Sequence, residues 1–235
     1  MRVLLLDLGL ELRGGQRQVH YLARALDRTP GIEAVTACPA EGKLADALRS
    51  AGLPVAALPG RSPANPRLYA WLGSRLRDFP VDIVHTHDAN AATMGAIWKV
   101  LHGGAKLVHS RRVSYPLRPG LRSWKYRMAD AVVGVSREIA EGLIRAGIPA
   151  SRVSAIHSGI DPSRYRRREA RADGPFPFSE HRRVHGAKRL FRVRAGDGRT
   201  AGTPSAAVEG AHRGRRPFAP VRPGRSRATW RGELA

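Results

Sequence analysis

Three stretches of the chain hold residue types that can do chemistry. The first is Gly14-Gly15-Gln16, set between the apolar run Val3-Leu4-Leu5-Leu6 and a stripe of Val19, Leu22, Ala23 and Leu26 at helical spacing. Glycines where a helix begins let a ligand's phosphates approach backbone N–H groups, and the helix's partial charge favours the anion. The dinucleotide spacing G-x-G-x-x-G is absent, so a phosphate cradle and a plain turn stand as alternatives. The second stretch is His85-Thr86-His87-Asp88, at the end of a short apolar run. His87 and Asp88 carry groups that hydrogen-bond hydroxyls, whereas His85 is expected to be a buried strand histidine bonded to backbone. No third ligand follows at metal-binding spacing, so no metal is expected.

The third stretch collects Arg111, Arg112, Arg118, Arg122, Lys125 and Arg127 around Tyr115, Trp124 and Tyr126. Cations interleaved with aromatics suit an anionic membrane surface or a phosphorylated lipid, and the alternative is a solvated helix with a buried tryptophan. Cys38 is the one cysteine. It excludes an intramolecular disulfide, fits a reducing compartment and is expected in a buried strand.

These residues need elements to position them, and the apolar pattern supplies a strand–helix alternation. Strands are predicted over 3–6, 33–38, 54–58, 81–85, 106–109, 130–135 and 153–157. Helices are predicted from the glycine pair to Leu26 and over 41–51, 67–79, 89–101, 123–128 and 137–146. Gly52 and Gly147 read as helix stops and Ser136 as a helix cap. Repetition of this unit predicts an α/β fold, one doubly wound parallel sheet of Rossmann-like type from residue 1 to about 160. In such a sheet ligands bind outside the carboxyl ends of the strands, where His85 to Asp88 lie.

Charge divides the chain. Of its net +22, residues 1–165 carry +10 and residues 166–235 carry +12. Beyond residue 165 Arg, Gly, Ala, Pro and Ser dominate without a sustained period of 2 or 3.6, so a disordered basic tail is expected there. No eighteen-residue apolar run predicts a membrane span, and the N-terminus lacks the pattern of a signal peptide.

Four motifs, in order over about 160 residues, carry a resemblance. They are Gly14-Gly15 with H-Y-L-A-R-A-L at 20–26, D-I-V-H-T-H at 82–87, A-D-A-V-V-G-V-S at 129–136 and V-S-A-I-H-S-G-I-D at 153–161. Together they resemble the N-terminal half of GT-B retaining glycosyltransferases of family four. The resemblance implies transfer of a sugar from a nucleotide-sugar to a glycan or lipid-linked acceptor, in cell-envelope or lipopolysaccharide synthesis. Two Rossmann-like domains then face each other, the first shaping the acceptor site. By position Gly14, Gly15 and Gln16 inherit the loop that approaches the donor diphosphate. His87, Asp88, Arg111 and Arg112 inherit acceptor or sugar contacts, and Ser158, Gly159 and Asp161 the interdomain hinge.

One departure matters. Where many members have V-x-T-x-H at the end of the fifth strand, this chain has V-H-S-R-R at 108–112. Arg112 stands in the histidine's place, which removes a histidine base and leaves a cation suited to phosphate or carboxylate. His109, three residues earlier, is the weaker candidate. The family's second domain, with its E-x-x-x-x-x-x-x-E motif, has no counterpart after residue 165, so the donor-binding domain is expected to be missing. The tail reads as an out-of-frame translation of a GC-rich gene, with a natural basic tail as the alternative. The resemblance implies no cofactor and no metal, and a cytoplasmic protein that contacts the inner face of the cell membrane peripherally. Two alternatives stand beside it. One is a non-catalytic acceptor-binding or accessory domain. The other is a basic-tailed nucleic-acid-binding protein, against which no RRM, KH or zinc signature appears, so no specific nucleic acid is expected.

Overall fold

The structure is a computed structural model that describes residues 1–161, apart from 78, 118–119 and 121–122. The expected domain boundary at 165, the basic tail, Arg118 and Arg122 lie outside the described residues. Within them a seven-stranded, all-parallel sheet forms the middle layer. Its strands are β1 (Arg2–Leu6), β2 (Glu33–Pro39), β3 (Val55–Leu58), β4 (Ile83–Thr86), β5 (Lys106–Arg111), β6 (Ala131–Gly134) and β7 (Val153–Ala155). The helices are α1 (Gly14–Asp27), α2 (Lys43–Ser50), α3 (Pro66–Arg75), α4 (Ala89–His102), α5 (Trp124–Arg127) and α6 (Arg137–Arg145).

The strand order is β3-β2-β1-β4-β5-β6-β7. From β1 the chain runs outward through β2 to β3, then returns to lay β4 on the other side of β1. The direction of winding therefore reverses between β1 and β4, and the loops after these two strands diverge into a crevice. The Rossmann-like fold predicted from the pattern is the fold observed.

β1 has no polar alternation because both of its faces are buried. Leu4 and Leu6 point into one layer with Leu68 and Leu72 of α3 and Met94 of α4. Val3 and Leu5 point into the other, with Val19 of α1 and Leu44 and Leu48 of α2. Burying each such leucine contributes roughly 1.5–3 kcal/mol. Cys38 lies in the second layer, and burial pushes its thiol up to about 12. α4 approaches the sheet so closely that a Cβ on Gly95 would stand 2.7 Å from Thr86 Cγ2. Gly134 is equally tight and against backbone, since its Cβ would meet the Ala140 backbone nitrogen at 2.7 Å. Ser136 caps α6 by accepting from the Ile139 N–H, as expected, and Gly52 and Gly147 hold positive φ where α2 and α6 stop.

Two boundaries differ from expectation in ways that matter for the site. β5 runs on to Arg111, because Ser110 and Arg111 pair with Val133 and Gly134 of β6. β4 is displaced towards its end, its last residue Thr86 facing Leu6. Backbone ladders do not need apolar side chains, so the polar ends of both strands escaped a reading by hydrophobic pattern.

Candidate functional site

At the reversal between β1 and β4, Asp7 continues β1 and is fully buried. Its Oδ1 accepts from the Gly9 N–H at 2.9 Å and from Gln16 Nε2 at 3.0 Å, with Oδ2 3.2 Å from the same nitrogen. Gln16 Oε1 in turn accepts from the Arg13 N–H at 3.3 Å. These bonds fold the loop 8–13 back over Asp7. A Cβ on Gly9 would stand 2.5 Å from Gln16 Nε2, so a side chain there would displace Gln16 from Asp7. Burial raises the Asp7 carboxyl to about 6, helped by the charge of Asp88 and opposed by Gln16, Gly9 and Arg112.

Helix α1 begins at Gly14, directly after this loop. Arg13, at the cap position, has no acceptor atom in its side chain and makes no side-chain cap bond, so the first-turn N–H groups are left without one. A Cβ on Gly14 would meet nothing within 4 Å, and one on Gly15 would meet Arg112 Cδ at 3.5 Å. The glycine pair thus leaves an open face at a helix N-terminus, with an arginine beside it. The Gln16 side chain is committed to Asp7, which leaves its backbone N–H to face a ligand.

On the β4 side, Asp88 is the cap of α4. Its Oδ1 accepts from the Asn90 and Ala91 N–H groups at 2.7 and 3.0 Å, and its Oδ2 from the Leu8 N–H at 2.6 Å. Both oxygens are therefore engaged within the fold, binding α4 to the loop after β1. His87 is 3% exposed and lies beneath Arg112. Arg112 Nη2 donates to its Nδ1 at 3.3 Å, which leaves the imidazole proton on Nε2. Burial, then the neighbouring His85 and Arg112, hold His87 well below the ordinary histidine range.

His85 is buried to a lesser degree, and its Nε2 lies 2.8 Å from Ser110 Oγ. The expected backbone partner is thus replaced by a side chain that reaches it because β5 is longer than predicted. Its ring centroid is 4.1 Å from that of His87. Burial lowers it to about 4, with Arg112 and His109 adding to the effect. His109 is buried on the other side of β5, bonded to Thr86 Oγ1 and to the Lys125 carbonyl, the latter at 2.9 Å. Burial lowers it to about 4 as well.

Arg111 and Arg112 are neighbours in sequence, and the strand pleat sends them opposite ways. Arg112 leans over Gly15 and His87, and its Nη1 donates to Ser158 Oγ at 3.4 Å. Burial lowers its pKa, and the nearby Asp7 resists that. Arg111 turns to α5, donating from Nη1 to the Tyr126 hydroxyl at 3.2 Å and from Nη2 to the Tyr115 carbonyl at 2.5 Å. Behind β7, Gly159 is clasped by Gln18 of α1: Gln18 Nε2 donates to its carbonyl at 2.6 Å, and its N–H donates back to Gln18 Oε1 at 3.0 Å. Asp161 is the last of the described residues.

The fold therefore brings together Gly14, Gly15, Gln16, His87, Arg112, Ser158 and Gly159, uses Asp88 as a cap, and sets Arg111 apart with α5. Asp7, Gly9 and Gln18 complete the cluster and were not expected. A lone acid after a strand and a glutamine in a second helical turn carry no motif by themselves. Among the described residues the two buried side-chain polar atoms without a partner are His87 Nε2 and Arg112 Nε, both in this cluster. Each is a donor, and leaving one without a partner costs about 1–3 kcal/mol. Among the described residues no three His, Cys, Asp or Glu side chains converge on one point.

A profile of Glycosyltransferase Family 4 matches residues 12–164 of the chain. No curated protein matches it in sequence. Among solved structures it is similar to HepE of Anabaena in complex with UDP and glucose, at 20% identity over 69% of this chain and 46% of that one, with a TM-score of 0.55. It is also similar to a glycosyltransferase of Rickettsia africae, at 19% identity over 69% and 44% with a TM-score of 0.56. The lipopolysaccharide outer core galactosyltransferase WaaB, in its apo form, matches at 14% identity over 67% and 45% with a TM-score of 0.50. The chain spans less than half the length of each of these structures.

Proposed function

The chain belongs to Glycosyltransferase Family 4, and on that premise we propose that it takes part in moving a sugar from a nucleotide-sugar donor to an acceptor. One observation carries the reading for this chain. The open, uncapped N-terminus of α1 and the guanidinium of Arg112 face the same crevice, beside two buried polar atoms that lack partners.

A departing nucleotide diphosphate gains negative charge as the sugar leaves. Backbone N–H donors at a helix N-terminus and an arginine already in place stabilise that charge without reorganising. In this reading the backbone of Gly14, Gly15 and Gln16 faces the diphosphate and Arg112 reaches it or the acceptor. His87 and Asp88 act as positioning residues, His87 by holding Arg112 and Asp88 by holding the loop against α4. Ser158 and Gly159, tied to Arg112 and Gln18, serve with Asp161 as the connection to a facing donor-binding domain. Similarity to HepE, crystallised with UDP and glucose, supports a uridine nucleotide as the first donor to test.

The finer reading follows the motifs. The transfer is retaining and needs no metal, and the acceptor is a glycan or lipid-linked acceptor of cell-envelope or lipopolysaccharide synthesis. The protein works in the cytoplasm and touches the inner face of the membrane peripherally through the basic, aromatic segment from Arg111 to Arg127. No helix among the described residues is long and apolar enough to cross a membrane. A second reading is an acceptor-binding or accessory domain without turnover of its own.

The test is a titration of the full chain with UDP and UDP-glucose, followed by backbone amide shifts. Shifts centred on Gly9 to Gln16 and at Arg112, with about tenfold weaker binding in Arg112→Gln, are expected. No saturable shift in the glycine loop would sink the donor reading. Glucose release or transfer by the isolated chain separates the enzyme from the accessory reading.

A further inference from the structure

A second concavity lies away from the glycine loop, between the first turn of α4, the end of β5 and α5. Its volume is about 250 Å³, and Ala89, Thr93, Arg111, Trp124, Lys125 and Tyr126 contribute to its wall. Two cations flank one ring there: Arg111 Cζ is 5.6 Å and Lys125 Nζ 5.7 Å from the centroid of Tyr126. Among the described residues neither has a carboxylate within 4 Å. The acid whose charge Lys125 feels is Asp88, whose oxygens are engaged by three backbone N–H groups.

Among the described residues, the donors in this cavity outnumber its acceptors. Lys125 Nζ gives two of its three protons, to the Ala89 carbonyl at 2.6 Å and to Thr93 Oγ1 at 3.0 Å. Arg111 gives one N–H to the Tyr126 oxygen and one to the Tyr115 carbonyl, out of five. Among the described residues the Tyr126 hydroxyl accepts from Arg111 and donates to no acceptor, although the residue is 4% exposed. One ammonium proton, the remaining guanidinium protons and a phenol proton are thus held about a partly enclosed space, with two like charges close together. A group made of acceptor oxygens and carrying negative charge satisfies all of them together. A carboxylate offers two oxygens and one charge. A phosphate monoester offers three oxygens and nearly two charges at neutral pH.

We infer that the cavity between α4, β5 and α5, faced by Arg111, Lys125 and the Tyr126 hydroxyl, binds a phosphate monoester carried by the acceptor. Assigning that phosphate to the acceptor rests on the glycosyltransferase reading, while the binding itself does not. The phosphate seats its carrier on the loop after β5, where Val113 and Tyr115 are exposed.

The test is titration of the full chain with sodium phosphate and with glycerol phosphate, read by tryptophan fluorescence, with Trp124→Phe identifying the reporter. Saturable binding is expected, weakened about tenfold in Lys125→Gln and in Arg111→Gln and unchanged in Arg137→Gln. Where either substitution lowers the thermal midpoint, Tyr126→Phe removes the phenol donor and keeps the ring, and a loss of affinity is again expected. No saturable binding in the wild type, or equal binding in all variants as contact with the basic tail would give, overturns the inference. Phosphatidylcholine vesicles with and without phosphatidic acid separate the carriers. Capture of phosphatidic acid vesicles that Lys125→Gln abolishes points to a lipid carrier, and no capture alongside glycerol phosphate binding points to a soluble one. Vesicle capture without glycerol phosphate binding overturns the cavity. UDP titrated into the same protein reports on the glycine loop, so failure of the donor reading and failure of this inference give different results.

Discussion

Arg112 Nη2 donates to His87 Nδ1 across 3.3 Å, and this one contact joins the end of β5 to the end of β4 beneath the glycine loop. The arginine is thereby held over Gly15 before any ligand arrives, with the first turn of α1 on one side and Ser158 on the other. Preorganisation of this kind spares a site the cost of ordering a long side chain on binding.

His87→Ala is expected to leave the sheet folded and to free Arg112. UDP affinity then falls several-fold without loss of Arg112 itself, and His87→Asn, which restores an acceptor, recovers part of it. Calorimetric titration of the three proteins checks this. Equal affinities would show that His87 does not position Arg112 for binding.

Acid should unfold the protein through its histidines. His85 and His109 are lowered to about 4, and burial holds His87 well below the ordinary histidine value, so below pH 6.5 the unfolded chain binds more protons than the native one. Stability present above 6.5 is therefore lost as pH falls from 6.5 through 4. Asp7, raised to about 6, acts the opposite way: its contribution is present below 3.8 and lost as pH rises through 6. Three histidines outweigh one aspartate, so the thermal midpoint should drop on acidification from pH 7 to 5. His85→Gln, which keeps a polar partner for Ser110, should flatten that drop.

Gly14→Ala separates stability from binding. The Cβ enters open space at the first position of a helix, where alanine outranks glycine, so stability should rise by up to about 1 kcal/mol. The same methyl stands on the face where phosphate is proposed to approach, and UDP affinity should fall. Urea denaturation and UDP titration of one variant test both halves.

Asp88→Ala removes the cap of α4 and its tie to the Leu8 N–H, at a cost of about 1–2 kcal/mol in urea unfolding. Gly134→Ala should cost a comparable amount, roughly 1–3 kcal/mol, because the new methyl meets the Ala140 backbone and backbone cannot swing aside.

Gln18→Ala should act locally. Two hydrogen bonds to Gly159 disappear, so amide exchange at Gly159 speeds up while the global midpoint barely moves, since Gly159 is exposed and anchors no core.

Much of the fold was legible because it is written in local periods. The unbroken run Val3 to Leu6 announced a strand buried on both sides, and the stripe of α1 announced its packing face. Ser136 and Gly147 marked the ends of α6 by their own backbone chemistry. The glycine pair at the start of α1 and the place of Arg112 after the fifth strand were legible for the same reason, being set by neighbours in sequence.

What the sequence by itself determined, then, was the succession of elements, the parallel sheet that such a succession requires, and the family whose motifs it carries. Only the tertiary structure decided the company each side chain keeps. It decided that Gln16 turns back to Asp7 and Asp88 to Leu8, that Arg111 and Arg112 part to opposite sides, and that Gln18 meets Gly159 across 141 residues. The reason is physical. Periodicity records which face of an element is apolar, a property of residues a few positions apart. A polar pair buried at a crevice depends on which strands lie side by side, and that is settled by the packing of the whole sheet.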